Sequence, residues 1–228
     1  MRFLRLTLIL LAFSLPAYAQ DIEEEERLLT SITFLDYLRE HNRIKPMQNP
    51  KYEHGTDILD RRIMDQTKKA IGQVKDVVVS TDGKIRYLKI DFDKISLRKE
   101  VYLDYHQMNV GANNNGYTLS FRKEEIKGLY SKFTRQITPH SDQISLVSIM
   151  GKEIRDTNKI RLGTIDEILF DEFGSKVEQI FIKVNYGLIR DAGLAIPFES
   201  VEFDYRNGYV YPIIKKEFSD IALDYVKK

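Results

Sequence analysis

Two stretches of the chain carry the same pattern of apolar and polar positions. In the later one, Ile165, Ile168 and Phe170 lead to a turn at Glu172-Phe173-Gly174 and then to Val177, Ile180, Ile182 and Val184. In the earlier one, Val74, Val77 and Val79 lead to a turn at Thr81-Asp82-Gly83 and then to Ile85, Leu88, Ile90 and Phe92. Spacing by two places apolar side chains on one face of a strand. The first strand of each copy takes one step of three at the same place, which predicts a β-bulge near Lys75 and Asp76 and another near Asp166 and Glu167. Upstream, Ile58, Ile63, Asp65 and Gly72 recur as Ile149, Ile154, Asp156 and Gly163, an offset of 91 residues. Downstream, Val101, Leu103 and Tyr105 match Leu194, Ile196 and Phe198. Asn115-Gly116-Tyr117 then matches Asn207-Gly208-Tyr209 as a tight hairpin turn, because Asn-Gly suits two successive positive φ angles. Each hairpin runs into an amphipathic helix, with Ile126, Leu129, Tyr130 and Phe133 as the first stripe and Phe218, Ile221, Ala222 and Tyr225 as the second.

The pattern predicts a mainly β protein of two tandem small antiparallel β-barrels, each followed by a short helix. The first repeat spans residues 57–133 and the second 143–228, joined by a connector at 134–142 that contains Pro139. Ahead of them, residues 21–43 read as an amphipathic helix with Leu28, Ile32, Leu35 and Leu38 on one face and Glu23 to Glu26 in its first turns, where acids oppose the helix dipole. Residues 44–56, with Pro46, Pro50 and Gly55, read as a linker. Residues 1–19 have the parts of a secretory signal: Arg2 and Arg5, an apolar run from Leu6 to Leu15, and the small-residue site Ala17-Tyr18-Ala19. Cleavage is expected between Ala19 and Gln20. The run is about half the roughly 20 residues that a spanning helix needs, so no stable membrane span is expected after cleavage and the protein is expected in a bacterial periplasm.

Composition narrows the chemistry. The formal charge is +1, and loss of the leader with its two arginines makes it −1, so there is no electrostatic case for nucleic acid. The chain has no cysteine, which excludes disulfides, thiolate catalysis and Cys-based zinc sites. The four histidines, His41, His54, His106 and His140, form no local ligand pair. Asp65 and Asp156 recur after a short strand and suit a structural role, accepting hydrogen bonds from turn amides. Neither a phosphate-cradling glycine loop nor a Gly-x-Ser-x-Gly elbow is present.

The later copy, with Gly151-Lys152-Glu153-Ile154, Asp156, Gly163-x-Ile165-x-Glu167-Ile168, a turn from Asp171 to Gly174 and Ile196-Pro197-Phe198-x-x-Val201, resembles the PRC-barrel family. That family is named for the barrel of the photosynthetic reaction-centre H subunit and includes the C-terminal domain of the ribosome maturation factor RimM. The earlier copy departs from the pattern, with Asp104 where the later has Pro197. The resemblance implies a small barrel used for docking onto other macromolecules, with no shared catalytic residues to transfer.

The sequence thus predicts no enzyme, no cofactor and no metal site, and a secreted protein that binds another envelope protein or itself. Candidate contact residues are Leu188 and Ile189 in a glycine-bounded loop, Tyr205, Tyr209 and Tyr211 around the second hairpin, and Leu28, Ile32 and Leu35 on the N-terminal helix. The alternative is a small ligand or metal held in a cleft between the barrels.

Overall fold

The structure is a computed structural model that describes residues 26–92, 100–106, 111–113, 116–126, 128 and 143–227. The expected leader with Ala19 and Gln20, the start of the expected N-terminal helix at 21–25, the connector 134–142 with His140, and the stripe residues Leu129, Tyr130 and Phe133 lie outside the described residues. The chain begins with helix α1, residues 26–43, and a short 3-10 turn, Pro46–Gln48. Strand β1 (Glu53–His54), the one-turn helix α2 (Gly55–Ile58), β2 (Arg62–Met64), β3 (Ala70–Ser80), β4 (Ile85–Asp91), β5 (Val101–Asp104), β6 (Gly111–Asn113) and β7 (Gly116–Thr118) follow. A helical segment, α3, starts at residues 123–126. The second half repeats the order: β8 (Gln143–Ser145), α4 (Leu146–Ile149), β9 (Glu153–Asp156), β10 (Arg161–Phe170), β11 (Val177–Tyr186), β12 (Ile189–Pro197), β13 (Val201–Arg206), β14 (Tyr209–Ile214) and helix α5 (Lys216–Val226).

Two sheets of equivalent topology result, ordered β5-β4-β3-β2-β7-β6 and β12-β11-β10-β9-β14-β13. The expectation of purely antiparallel barrels needs one correction. The pairs β2 with β7 and β9 with β14 are parallel, because the chain leaves the sheet through β5 or β12 and re-enters beside β2 or β9 running in the same direction. The bulges fall where the step of three placed them, with register shifts between Val74 and Asp76 and between Ile165 and Glu167. Alternate apolar positions of both copies, from Val74 to Ile90 and from Ile165 to Val184, are buried and form one continuous core.

The segment read as a linker is not one. Glu53 and His54 pair with Phe170 and Leu169 of β10, so β1 joins the second sheet although it leads the first repeat. Its counterpart β8 leads the second repeat and pairs with β3 of the first, through Val78 to Ser145 and Ser80 to Gln143. Each barrel lends its leading strand to the other. The turns at Gly83 and Gly174 close the same seam, with the Val177 amide donating to Gly83 O at 2.9 Å and the Ile85 amide to Ser175 O at 3.2 Å.

Helix α1 lies on the second barrel. Phe34 stacks on Phe218 of α5, ring centroids 4.5 Å apart, and Leu38 is fully buried, a burial that contributes about 2 kcal/mol. Asn42 ends the contact by behaving as a strand residue: its side-chain oxygen accepts from the Ala195 amide at 2.7 Å and its nitrogen donates to Ala195 O at 2.9 Å. That covers part of the β12 edge, which would otherwise invite pairing. The stripe drawn from the sequence is therefore divided. Leu38 is buried, Leu35 is half-buried, and Leu28 and Ile32 are exposed, while Phe34 on a neighbouring row makes the main contact. No described helix is long and apolar enough to cross a membrane.

Candidate interaction surfaces

The bulges exist to aim two acids. A bulge turns Asp76 of β3 and Glu167 of β10 out of alternation and into the seam, where they are only 6% and 3% exposed. Asp76 accepts from the Val77 amide at 2.8 Å, the Val147 amide at 3.1 Å and the Ser145 hydroxyl at 2.5 Å. Glu167 accepts from the Ile168 amide at 2.8 Å, the Thr56 amide at 3.2 Å and the Thr56 hydroxyl. Each acid thus satisfies its own strand and the first amides of the short helix, α4 or α2, that opens the other repeat. His54 Nδ1 stands 3.6 Å from Glu167. These residues fasten the barrels together, and beside them Asp82 of the first repeat and Lys176, Glu178 and Glu199 of the second, with Tyr37 and His41 of α1, line an open hollow of about 420 Å³. Sequence reasoning placed the bulges but not this role; an acid at the same bulge position of both copies, 91 residues apart, was the signal available.

Burial pushes the Asp76 carboxyl above its usual range, against the bonds from Ser145, Val147 and Val77 and the charge of Lys89, which pull it down. Tyr102 is the other titrating group that feels its charge. A carboxyl raised by folding holds its proton more tightly in the folded chain than in the unfolded one. Its contribution therefore favours folding below the unfolded value of about 3.9 and is lost as pH rises through the folded value. Asp76→Asn keeps the shape and removes the charge, so it should gain stability relative to the parent as pH rises from about 4 to about 8. Urea midpoints of both proteins across that range check this, and a constant difference contradicts it.

Asp65 and Asp156 do what their position implied. Asp65 accepts from the Thr67 and Lys69 amides at 2.7 and 3.1 Å, and Asp156 from the Asn158 and Ile160 amides at 2.9 and 2.8 Å. Burial opposes the charge of Asp65, yet the bonds from Thr67 and Lys69 outweigh it and hold the carboxyl below its ordinary range.

The repeats differ most at their hairpins. In the second, Arg206 pairs with Tyr209 across Asn207 and Gly208, whose φ angles of 53° and 80° are those of the expected primed turn. In the first, Asn113 pairs with Gly116, which makes Gly116 a strand residue and corrects the expected centre Asn115-Gly116; residues 114–115 lie outside the described residues. Gly116 instead sits against the chain: at φ 137°, a Cβ there would lie 2.2 Å from Arg62 O. The anchor points show the larger consequence. Met64 pairs with Thr118 in one barrel, while its equivalent Arg155 pairs with Ile213 in the other, so matching the two Asn-Gly-Tyr strings misaligns the strands by three residues. Accordingly β13 and β14 have six residues each where β6 and β7 have three.

At the turn end the extra length projects beyond the barrel as the pairs Tyr205–Val210 and Arg206–Tyr209, while Asp204–Tyr211 stands where the first hairpin has Asn113–Gly116. Val210 and Tyr205 face inward, and the Tyr205 hydroxyl donates to Gln143 O, bracing the hairpin on β8. Tyr209 and Tyr211 face outward at 60% and 48% exposure. Between this overhang and the β9–β10 turn runs an open groove of about 870 Å³, lined among others by Lys152, Arg155, Lys159, Asn207, Tyr209 and Tyr211. Arg155 is oriented by Glu153 at 2.5 Å and by Lys159 O at 2.9 Å.

The remaining candidates do not join this groove. Leu188 is fully exposed at the tip between β11 and β12, whereas Ile189 packs on the core. Tyr186 pairs with Ile189 there, and the strand directions put this tip at the opposite end of the barrel from Tyr209. Leu28, Ile32 and Leu35 belong to the helical flank. Among the described residues no group of three or more His, Asp or Glu side chains stands close enough to hold a metal ion.

Two mixed-β barrels that exchange their leading strands, flanked by packed helices, define a tandem small-barrel protein. The profile of the PRC-barrel domain matches residues 50–125 and again 141–217, and the chain belongs to the PRC-barrel family. Among curated proteins, none matches this chain.

Proposed function

We propose that this is a non-catalytic docking protein that is exported by its leader into a bacterial envelope space and binds another envelope protein there through its second barrel. The observation that carries the reading is the overhanging hairpin. Two strand pairs beyond the closing pair of the first hairpin carry Tyr209 outward, and Tyr211 stands where the first barrel has Gly116, so that both tyrosines face an open groove. Tyrosine combines apolar area with a polar tip at low entropy cost, which is why it anchors protein interfaces. The hairpin is braced on the seam, so its anchors are held in place before a partner arrives, and that lowers the cost of binding.

The reading is tested by fixing the chain from Gln20 onward on a resin and passing envelope extract over it. One protein should be retained by the parent and reduced at least tenfold by Tyr209→Ala with Tyr211→Ala, each anchor being worth ~1 kcal/mol or more. Thermal midpoints of parent and variant should agree, since both side chains face solvent. Equal retention by the variant contradicts the reading.

A further inference from the structure

We propose that the protein docks on the surface of an anionic phospholipid bilayer through two hairpin ends of the second barrel, the β9–β10 turn with Ile160 and the β11–β12 turn with Leu188. Both turns stand at one end of the sheet. Strand β10 begins at Arg161 and β11 ends at Tyr186, and the two pair antiparallel through Gly163 and Val184, so both turns lie beyond the same edge of the barrel. In the sheet order β12-β11-β10-β9 the turn centres are two strand spacings apart, roughly 10 Å.

Each turn carries an apolar side chain that the fold does not use. Leu188 is 100% exposed and Ile160 44%, with Tyr186 at the end of β11 exposed by 39%. The first repeat builds the β9–β10 turn without an isoleucine. There the Lys69 amide donates to Asp65 at 3.1 Å, as the Ile160 amide does to Asp156 at 2.8 Å, and the exposed residue is a lysine. At the other tip Gly187 and Leu188 form a two-residue turn, and a Cβ at Gly187 would meet nothing within 4 Å, so the tip stands clear of the barrel. It is also held in shape. At its base the Asp191 amide donates to Asn185 Oδ1 and Asn185 Nδ2 donates to Asp191 Oδ1, both at 3.2 Å.

Shape and charge select the bilayer. Two apolar points on a convex end would need two separate pits in a folded partner, whereas hydrocarbon yields to both. From the apex inward come leucine and isoleucine, then tyrosine, then cations, which is the order of a bilayer's own layers: hydrocarbon, interface and headgroup phosphate. Lys159 and Arg190 are exposed and make no ion pair among the described residues, and exposed Arg161 shares Glu153 with Arg155. The acids of the same turns are occupied, Asp156 being buried among turn amides and Asp191 bonded to Asn185. Behind them Lys183 pairs with Asp166 and Lys216 with Asp220, while Lys215 and Glu217 offset each other. The positive surplus is thus at the tips, where lipid phosphates would lie. Docking at this end leaves Tyr209, at the opposite end, facing away from the bilayer, so either surface can fail alone.

Vesicles of phosphatidylcholine and phosphatidylglycerol in equal parts should carry down the chain from Gln20 on sedimentation, and vesicles of phosphatidylcholine alone far less. Leu188→Ser with Ile160→Ser should weaken binding at least about tenfold with an unchanged thermal midpoint. The chain has no tryptophan, which allows a positional test. Leu188→Trp should shift its emission to the blue on adding the anionic vesicles, and Tyr209→Trp should not. No sedimentation with anionic vesicles, equal sedimentation with the two lipids, a serine variant that binds like the parent, or equal shifts from the two tryptophans overturns the proposal. So does a blue shift of Leu188→Trp in envelope extract cleared of membranes, which would make the partner of the tip a protein.

Discussion

Produced as two chains divided within residues 134–142, neither half will unfold cooperatively by calorimetry, and mixing the halves will restore a single transition. A domain of one repeat buries only about 60% of its unfolded surface and is marginal alone. Here it also loses the strand that the other repeat supplies. The first half loses β8 from β3, leaving Asp76 buried without Ser145 and Val147. The second loses β1 from β10 and the Thr56 bonds to Glu167. Each buried group left without a partner costs about 1–3 kcal/mol, and several such losses exceed what remains of a total stability of ~5–15 kcal/mol shared by two repeats. A half that melts in one sharp transition near the midpoint of the whole chain contradicts the exchange.

Gly163→Ala should cost about 3 kcal/mol or more, and Gly72→Ala about the same, measured as ΔG from urea unfolding. Neither glycine is needed for a turn. Both lie in the long first strand where the neighbouring strand crosses closely, so that a Cβ at Gly163 would stand 2.3 Å from Lys183 O and one at Gly72 2.3 Å from Asp91 O. Backbone oxygens in a ladder cannot swing aside as a flexible side chain can, so the sheet itself must part. Gly128→Ala is the internal control: with nothing within 4 Å of the added Cβ and helical backbone at that position, it should be neutral or stabilising by up to about 1 kcal/mol. Equal effects at Gly163 and Gly128 contradict the account of close approach.

Which parts of this fold could be read in advance follows from the range of the interactions that decide them. Apolar alternation is local, and so is a bulge; the step of three at Val74–Val77 and Ile165–Ile168 therefore placed Asp76 and Glu167 correctly. The turn roles of Asp65 and Asp156 are local too, and they hold. The destination of β1 is not local. Two residues between Pro50 and Gly55 have no pattern of their own, and only the free edge of β10 makes Glu53 and His54 a strand. The hairpins misled for a related reason: identical Asn-Gly-Tyr strings suggest identical registers, but register here is set by the parallel pairing of β7 with β2 and of β14 with β9. On α1, periodicity gave the apolar sector but not how much of it the barrel covers, so Leu28 and Ile32 were grouped with Leu38 although their surroundings differ.

Of the candidate contact residues, Tyr209 and Tyr211 are exposed on the second hairpin, Tyr205 braces that hairpin from beneath, and Ile189 packs on the core. The first of these decides the functional account. The most direct measurement places a photo-crosslinking amino acid at Tyr211, and in a second strain at Lys51, in the protein produced in its own cells, and follows irradiation by immunoblotting. Docking through the second hairpin predicts one discrete adduct from position 211, heavier than the chain by the mass of a single partner, and none from position 51. No adduct from position 211, or the same adducts from both positions, would contradict it.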